Sequence, residues 1–506
     1  MRSTMATFTA FLLLSVLSTP AGAAPIRGLD RPSRIPHDYI VVLRETEGAA
    51  TRAHDVAPEW QQRYATETVS IYGSALNGLN IRADDAAIRA IAADPRVAYV
   101  EVNERGIAGE GERVQRAGYS PGYTVPTVSW GLDRIDERAF PLDATYTMAR
   151  NGFRVHAYVI DSGVSPIQAE FGNRVTGGVS FINDGRGTAD CNSHGTSTAA
   201  LLGGSTWGVA KAVNLHPVRI FGCSNDVDKA KILAGLDWVH QHHVKPAVVS
   251  LGVGGRWFIG SLEDAANRLI DSGVVLVGGV GNNGALECGY RFPETVDRAV
   301  IAGASTYFDR KLDISNHGPC VDVYAPGEYV LTIDHTGEVL SRTGTSAAIP
   351  HVAGVAALFM DRPVPPPASE AGPFISATAT RHVLDDVHPA TNRLLYALLD
   401  RPERLDPDGT HMPRNISVTS ERCRGLNTVR WQAPEQAGPF TYELWLSAYP
   451  DFQSAYLSHT TTATQQLISI PVGTSRHVRV RAIKAGHAPS YDLTSDVPAT
   501  SIGGCE

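Results

Sequence analysis

Three short motifs contain the residue types of a nucleophilic catalytic centre. Asp161 follows an apolar run and precedes Ser-Gly, His194 precedes Gly-Thr, and Ser346 follows Gly-Thr. A serine hydroxyl becomes a strong nucleophile when a neutral imidazole accepts its proton, and a carboxylate fixes the tautomer of that imidazole. The three side chains therefore predict an Asp-His-Ser triad. Pro350 is typical of a first helical turn and indicates that Ser346 lies at a helix N-terminus.

Each motif also has an ordinary structural interpretation. Asp161 fits an Asp-Ser-Gly turn, His194 fits a structural histidine, and Ser346 fits a plain helix cap. The catalytic hypothesis therefore rests on the three motifs together, in the chain order Asp, His, Ser.

The segment Gly279–Gly284 has two competing interpretations. Its glycine spacing matches the G-x-G-x-x-G fingerprint of dinucleotide-binding proteins, which requires a helix that starts near the last glycine. Residues 287–293 contain Cys, Gly and Pro and are typical of a loop instead. We therefore interpret Asn282 as a side-chain amide donor that, with the backbone N–H of Ser346, would stabilise an oxyanion.

The elements that must position these residues alternate between strands and helices. Such alternation predicts βαβ units, a mainly parallel sheet and a ligand site at the carboxyl ends of its strands. The helix after residue 260 begins with the capping-box spacing Ser261…Asp264. The predicted elements are the strands Val155–Ile160, Pro246–Leu251 and Val274–Val277 and the helices Lys229–His243 and Ser261–Ile270.

Both ends of the chain predict additional segments. Residues 1–23 combine an early arginine, an apolar stretch and a run of small residues, which is typical of a secretory signal peptide. Residues 36–104 predict a compact α+β unit, and residues 105–126 lack periodicity and predict a linker suited to processing. Residues 412–506 have short alternating runs typical of an all-β sandwich, similar to a fibronectin type III module.

Composition excludes several classes of protein. Of the 506 residues, 43% are apolar and 19% are charged, which favours roughly three folded domains over disorder. The net charge of −8 gives no electrostatic basis for binding nucleic acid, and no segment after the leader is long and apolar enough to span a membrane. The six cysteines permit three disulfides, and their spacing contains no C-x-x-C pair.

Residues 127–400 resemble the subtilisin-like serine proteases, and within them the proteinase K-type branch. The resemblance implies an α/β fold with a mainly parallel sheet and helices on both faces, preceded by an inhibitor-like prosegment at residues 36–104. The sequence departs from the family pattern at Gln168, Ser197, Trp207, Val253, Ala347 and Ile349. Besides the triad motifs, the matching stretches are Trp130–Asp136, Thr206–Ala210, Asn214–Leu215, Val218–Arg219, Ser315–Gly318 and Ala325–Gly327.

The same resemblance implies further site residues. The edge Ser250-Leu251-Gly252 would hold an extended peptide by β-augmentation. Asp322 would contribute to a structural calcium site with carbonyls near Asp297 and Ala299, although a solvated surface aspartate is the alternative. The implied disulfides are Cys191–Cys223 and Cys288–Cys320, which leaves Cys423 and Cys505 as a third pair.

Together these expectations describe a secreted serine endopeptidase made as a self-processing zymogen. It would act on protein or peptide substrates, be inhibited by its own prosegment, need no cofactor for its chemistry, and be a monomer. The alternative is a catalytically inactive binding protein built on the subtilisin fold, and retention of the triad and Asn282 argues against it. An α/β-hydrolase esterase would require the order Ser, Asp, His, whereas Ser346 comes last and precedes two alanines.

Overall fold

The computed structural model describes residues 22–45, 52–116, 129–140, 142–148, 150–257, 259–286, 288–387, 391–397, 414–421, 426–433, 439–447, 456–469, 475–483 and 490–500. The predicted signal peptide at residues 1–23 lies almost entirely outside these ranges. Within them, no helix combines the length and the apolarity that crossing a membrane requires.

The N-terminal unit is a sheet covered by two helices. Its strand order is β1-β5-β2-β4-β3, and α2 begins where the Asp84 side chain accepts the backbone N–H groups of Ala86 and Ala87. Val41, Trp60 and Ile91 belong to its buried core. The elements are β1 (Ile26–Arg27), β2 (Arg34–Leu43), α1 (Ala53–Tyr64), β3 (Glu67–Tyr72), β4 (Gly78–Arg82), α2 (Asp85–Ala92), β5 (Val97–Ile107) and β6 (Arg113–Arg116).

The central unit is built on a nine-stranded sheet with the order β17-β18-β14-β13-β12-β11-β7-β9-β8, parallel except where β17 pairs with β18. A 3₁₀ helix at Ala368–Glu370 precedes α9. The elements are α3 (Trp130–Asp136), β7 (His156–Asp161), α4 (Gln168–Phe171), β8 (Val179–Ser180), α5 (His194–Gly203), β9 (Asn214–Arg219), β10 (Asp226–Asp228), α6 (Lys229–His242), β11 (Ala247–Leu251), α7 (Gly260–Asp271), β12 (Val274–Gly279), β13 (Val300–Ser305), β14 (Val323–Pro326), β15 (Val330–Ile333), β16 (Val339–Thr343), α8 (Thr345–Met360), α9 (Ala371–Thr378), β17 (Thr380–Arg381) and β18 (Arg393–Leu394).

Helices cover both faces of this sheet, which confirms the predicted fold class. Side chains of α5 and α8 belong to one buried cluster, and side chains of α6 and α7 belong to another. The central strands are apolar along their whole length because both of their faces are buried. Helix α8 is buried at every residue and mostly apolar on all sides, so its N-terminus is held rigidly at the edge of the sheet.

One predicted detail of α7 is wrong. The helix begins at Gly260 with Ile259 as its N-cap residue, and no side chain caps it. The hydroxyl of Ser261 donates instead to Glu101 Oε2, at 2.6 Å, across the contact with the N-terminal unit.

The prediction of a linker without regular structure is wrong for residues 105–107 and 113–116. The end of β5 pairs antiparallel with β10, with Ile107 opposite Asp226 and Arg105 opposite Asp228. Strand β6 then pairs antiparallel with β16. The chain therefore crosses the central unit as two short added strands, which backbone hydrogen bonds hold and a turn at residues 108–111 joins.

The C-terminal region is all β, as predicted. Strand β20 lies between β19 and β23, and a second antiparallel sheet has the order β22-β21-β24-β25. Trp431 from the first sheet and Leu444 from the second belong to one buried cluster, so the sheets pack face to face. The strands are β19 (Arg414–Glu421), β20 (Leu426–Gln432), β21 (Thr441–Ser447), β22 (Tyr456–Thr461), β23 (Gln465–Ser469), β24 (Ser475–Ile483) and β25 (Ser490–Thr500).

Candidate active site

Asp161 and His194 form a buried pair at the carboxyl end of the central strand β7. Both carboxylate oxygens of Asp161 lie 2.8 Å from His194 Nδ1. The Asp161 side chain also accepts the backbone N–H of Ser162 at 2.7 Å. Since the carboxylate bonds to Nδ1, it fixes the tautomer in which Nε2 of the neutral ring is free to accept a proton.

A residue that the sequence analysis missed, Asp190, holds His194 in place. Its Oδ2 accepts the backbone N–H and the hydroxyl of Thr196, at 2.9 and 2.7 Å, inside the first turn of α5. Its Oδ1 accepts the backbone N–H of Ser193, which has a left-handed φ of 83°. Asp190 therefore satisfies the open backbone N–H of Thr196 and fixes Ser193, the residue before the helix that begins with His194. The signal that could have identified Asp190 in the sequence is its position four residues before the predicted motif of His194.

Ser346 and Asn282 meet where α8 begins. Ser346 is the second residue of the helix and is 6% exposed, and Asn282 lies three residues after β12. Asn282 Oδ1 accepts the backbone N–H of Thr345 at 2.7 Å, which turns the Nδ2 donor into the cleft. Pro350 is the sixth residue of α8, so it lies in the second turn and not in the first.

The predicted peptide-binding edge lies beside this cluster. Ser250 and Leu251 end β11 and are buried, and Gly252 follows them. A side chain at Gly252 would collide with the carboxylate of Asp161, so glycine permits the close approach of the two strand ends. Gly252 also lines a pocket next to Ser346.

A segment of the N-terminal unit crosses the cluster. The backbone N–H of Ala108 donates to Asn225 O at 2.8 Å, which continues the pairing of β5 with β10. Asn282 Nδ2 then donates to the main-chain carbonyl of Glu110 at 3.2 Å. The chain itself therefore presents a peptide carbonyl to the amide that the sequence predicts as an oxyanion donor.

Glu112, which the sequence analysis also missed, inserts a second carboxylate into the cluster. Its side chain is buried, with Oε1 3.5 Å from His194 Nε2 and Oε2 3.3 Å from Arg342 Nη1. A hydrogen bond with Ser346 also lowers the pKa of Glu112. The position of this side chain depends on the pairing of β6 with β16, which no local sequence pattern predicts.

The electrostatics of the cluster favour a protonated His194 beside an ionised Glu112. Burial opposes charge on His194, but the carboxylates of Asp161 and Glu112 outweigh it and raise the pKa of the imidazole. Burial opposes charge on Glu112 as well, but His194 and Arg342 outweigh it and lower the pKa of the carboxyl. With residues 105–116 in place, His194 is therefore held as an imidazolium, which has no lone pair to accept a proton.

Two of the implied disulfides are present. Cys191–Cys223 ties the loop before α5 to the segment after β9, and Cys288–Cys320 closes the loop after Asn282. Both therefore flank the candidate site. Cys423 and Cys505 lie outside the described residues.

Among the residues that the structure describes, Asp322 does not lie in a cluster of metal-binding side chains. One of its carboxylate oxygens accepts the backbone N–H of Ile301 at 2.8 Å, and burial raises its pKa to about 6. In the described part of the chain, no three metal-binding side chains that include Asp322 lie within reach of one ion. Calcium takes six to eight oxygen ligands, so the side chains here do not by themselves fit a calcium ion.

Comparison with other proteins supports one family. The profile of the subtilase family matches residues 151–384. The chain is 36% identical over 410 residues to an extracellular serine proteinase of Thermus sp. (strain Rt41A), covering 76% of this chain and 96% of that protein. It is 33% identical over 399 residues to alkaline serine exoprotease A of Vibrio alginolyticus, covering 77% and 73%. A solved structure of a cold-adapted subtilisin-like serine proteinase matches with a TM-score of 0.52 and 38% identity, over 54% of this chain and 99% of that one.

The parallel sheet with helices on both faces and these relatives define the class of protein, a serine endopeptidase. Within that class, the chain belongs to the subtilase family. The catalysis of this family uses no cofactor.

Proposed function

We propose that the protein is a secreted endopeptidase that uses Asp161, His194 and Ser346 as a catalytic triad and Asn282 in an oxyanion hole, and that it is made as a self-processing zymogen. One observation carries the proposal. The carbonyl of Glu110 accepts a hydrogen bond from Asn282 Nδ2 beside Ser346, while Asp161 orients His194 on the other side of the cleft. In the proposed reaction, a peptide substrate would place its scissile carbonyl at the same donor.

The chemistry follows from these positions. As Ser346 Oγ bonds to the carbonyl carbon, His194 Nε2 accepts the hydroxyl proton and the π electrons move onto the carbonyl oxygen. Asn282 Nδ2 and the backbone N–H at the start of α8 stabilise the resulting oxyanion. The tetrahedral intermediate then collapses, the C–N bond breaks, and the amine leaves with the proton from His194. Water hydrolyses the acyl-enzyme by the same steps.

Covalent labelling tests the proposal. A fluorophosphonate probe is expected to react with the purified, processed protein, and peptide mass spectrometry is expected to find the adduct on Ser346. A probe of this kind reacts only with an activated serine. An inactive binding protein on the same fold would give no adduct, and an adduct on a different serine would refute the assignment.

The N-terminal unit is proposed to inhibit the enzyme until it is cut away and degraded. Its support is the segment 105–116, which crosses the cleft as two short paired strands joined by a turn at residues 108–111. Further support is given by the buried ion pairs of Lys229 with Glu101 and Glu104 between the two units, at 3.2 and 3.7 Å. Glu112 strengthens this inhibition because it stabilises the protonated form of His194. Cleavage within 105–126 followed by loss of the segment would remove that carboxylate.

Glu112→Gln is therefore expected to speed self-processing. A neutral amide no longer raises the pKa of His194, so the neutral imidazole forms at lower pH, and its fraction rises roughly tenfold for each unit by which the pKa falls. The rising limb of the pH–rate profile of prosegment cleavage should move to lower pH. Gel time courses of the purified precursor between pH 5 and 9 measure this shift.

Glu67→Gln is the matched control, since Glu67 is an exposed prosegment glutamate paired with Arg82. It should leave the profile unchanged. Equal or slower processing of the Glu112→Gln protein at every pH would contradict the role of Glu112.

Export, partners and domains complete the proposal. Secretion is supported by the leader motif at residues 1–23, by the two disulfides and by relatives named extracellular serine proteinase and exoprotease. The functional partners are protein or peptide substrates and the protein's own prosegment, and the enzyme is proposed to act as a monomer. The boundaries 36–104, 127–400 and 412–506 and a structural calcium ion at Asp322 stay predictions.

A further inference from the structure

Trp257 lies against the strand that the N-terminal unit adds to the cleft. Its Nε1 donates to the main-chain carbonyl of Arg105 at 3.3 Å. Trp257 is only 5% exposed, and it belongs to the same buried cluster as Val227, the residue of β10 that pairs with Gly106. The central unit therefore contacts the bound strand with an indole side chain as well as with the backbone of β10.

Gly106 leaves free the space that this indole occupies. A Cβ at position 106 would overlap Cζ2 of Trp257 and would lie 2.8 and 2.9 Å from its Cε2 and Nε1. Carbon atoms that are not bonded to each other pack at about 3.5–4.0 Å. The φ of Gly106 is not positive, so its backbone conformation does not require glycine. The indole is therefore what excludes a side chain here.

Position 106 faces the central unit. Arg105 and Ile107, on either side of Gly106, are exposed, and successive residues of a strand point to opposite faces. Directly opposite residues of an antiparallel pair share a face, and Val227, opposite Gly106, is buried. Gly106 belongs to the paired strand and precedes the turn at residues 108–111. Its contact with the enzyme therefore belongs to the extended part of the segment.

The loop that carries Trp257 is anchored behind the ring. Gly255 and Phe292 exchange two backbone hydrogen bonds, each of 3.1 Å. A Cβ on Gly255 would lie 2.9 Å from Cζ2 of the indole, so the ring packs directly against this anchored backbone. Moving the ring to admit a side chain at position 106 would disrupt this packing and break the hydrogen bond to Arg105.

We propose that Trp257 determines specificity at a subsite of the cleft and that the enzyme prefers peptides with glycine at the position that Gly106 occupies. The inference rests on the proposed function, because a substrate must enter the cleft along the strand that the prosegment forms. Backbone pairing with β10 accepts any sequence, whereas the indole favours a residue without a side chain. A larger residue displaces the ring, and the cost of this displacement lowers kcat/KM.

The contacts of the segment limit this subsite to three positions of a substrate. Asn282 Nδ2 binds the carbonyl of Glu110, and in the proposed reaction this carbonyl belongs to the first residue before the scissile bond. Counted in this way, Gly106 is the fifth residue before that bond. An extended substrate without the turn at residues 108–111 covers the same path with fewer residues. Glycine is therefore expected at the third, fourth or fifth residue before the scissile bond.

Matched internally quenched peptides test this preference in the processed protein. Each has glycine or leucine at the third, fourth or fifth residue before the scissile bond and alanine at the other two, and mass spectrometry identifies the cleaved bond. At one position we expect kcat/KM for glycine to exceed that for leucine by about tenfold or more. Trp257→Ala should bring this ratio close to one, and Trp257→Phe should keep part of it. Trp238→Ala, which changes a half-buried indole stacked on His242, should leave the ratio unchanged.

The outcomes separate the two proposals. Equal or faster cleavage of the leucine peptide by the wild type at all three positions overturns the role of Trp257, even if no variant folds. An undiminished glycine preference in Trp257→Ala, with Ser346 still labelled by the fluorophosphonate, overturns it as well. Failure of the wild type to cleave any peptide or to react with the probe would refute the proposed function instead.

Discussion

Ser346→Ala is expected to lower kcat for peptide hydrolysis by about 10⁶-fold. This is the magnitude of the loss when the nucleophile is removed from subtilisin, a member of the same family. The substitution removes the only atom that could form the acyl-enzyme in the proposed mechanism. It leaves the N-terminus of α8 and the hydrogen bond from Thr345 to Asn282 in place. The variant should therefore accumulate as an intact precursor that does not hydrolyse casein.

The control is Ser205→Ala, which removes an exposed hydroxyl that donates to Ala169 O. It should process and clear casein as the wild type does. A Ser346→Ala protein that still releases its own prosegment, with no other protease present, would show that a different residue is the nucleophile.

Asp161→Asn is expected to lower kcat by about 10⁴-fold, the magnitude found for the same change in a trypsin-like enzyme. The amide of Asn donates a hydrogen bond where the carboxylate accepted one, so His194 Nδ1 becomes the acceptor and the proton moves to Nε2. That nitrogen then has no lone pair for the proton of Ser346. The rate at which the purified precursor releases its prosegment, with circular dichroism to check folding, measures the loss.

Comparison with other variants shows whether the loss of kcat in Asp161→Asn arises from the changed tautomer of His194. Asn282→Ala should lower kcat by about 10²–10³-fold through loss of an oxyanion donor, with the shape of the pH–rate profile unchanged. Asp161→Asn should change that profile, since it alters the titration of His194. Asp271→Asn, at an exposed aspartate paired with Arg298, should do neither. Identical effects of Asp161→Asn and Asp271→Asn would contradict the triad.

The sequence predicts the parts of the site that depend on local patterns. Continuous apolar runs mark the buried parallel strands, and polar residues just beyond them lie at the same edge of the sheet. For this reason Asp161 is predicted correctly to lie at the end of β7, and Asn282 just beyond β12. His194 begins α5 and Ser346 lies at the start of α8, as their small-residue surroundings indicate.

The parts that the sequence does not predict depend on contacts between distant segments. Glu112 reaches His194 because β6 pairs with β16, with Arg113 opposite Thr343, and nothing near Glu112 specifies that partner. Ser261 has the spacing of a helix cap, yet its hydroxyl binds Glu101 on a strand of the N-terminal unit. The local sequence permits several hydrogen-bond partners for a polar side chain, and tertiary contacts determine which partner it binds.

The central claim is that Asp161, His194 and Ser346 act as one proton-transfer unit once residues 105–116 have left the cleft. A crystal structure of the processed enzyme measures it directly through the distance from His194 Nε2 to Ser346 Oγ. We expect about 2.6–3.2 Å, with Nδ1 still bonded to Asp161. An imidazole turned away from the hydroxyl, with the two atoms beyond hydrogen-bonding distance and no other group between them, would contradict the account.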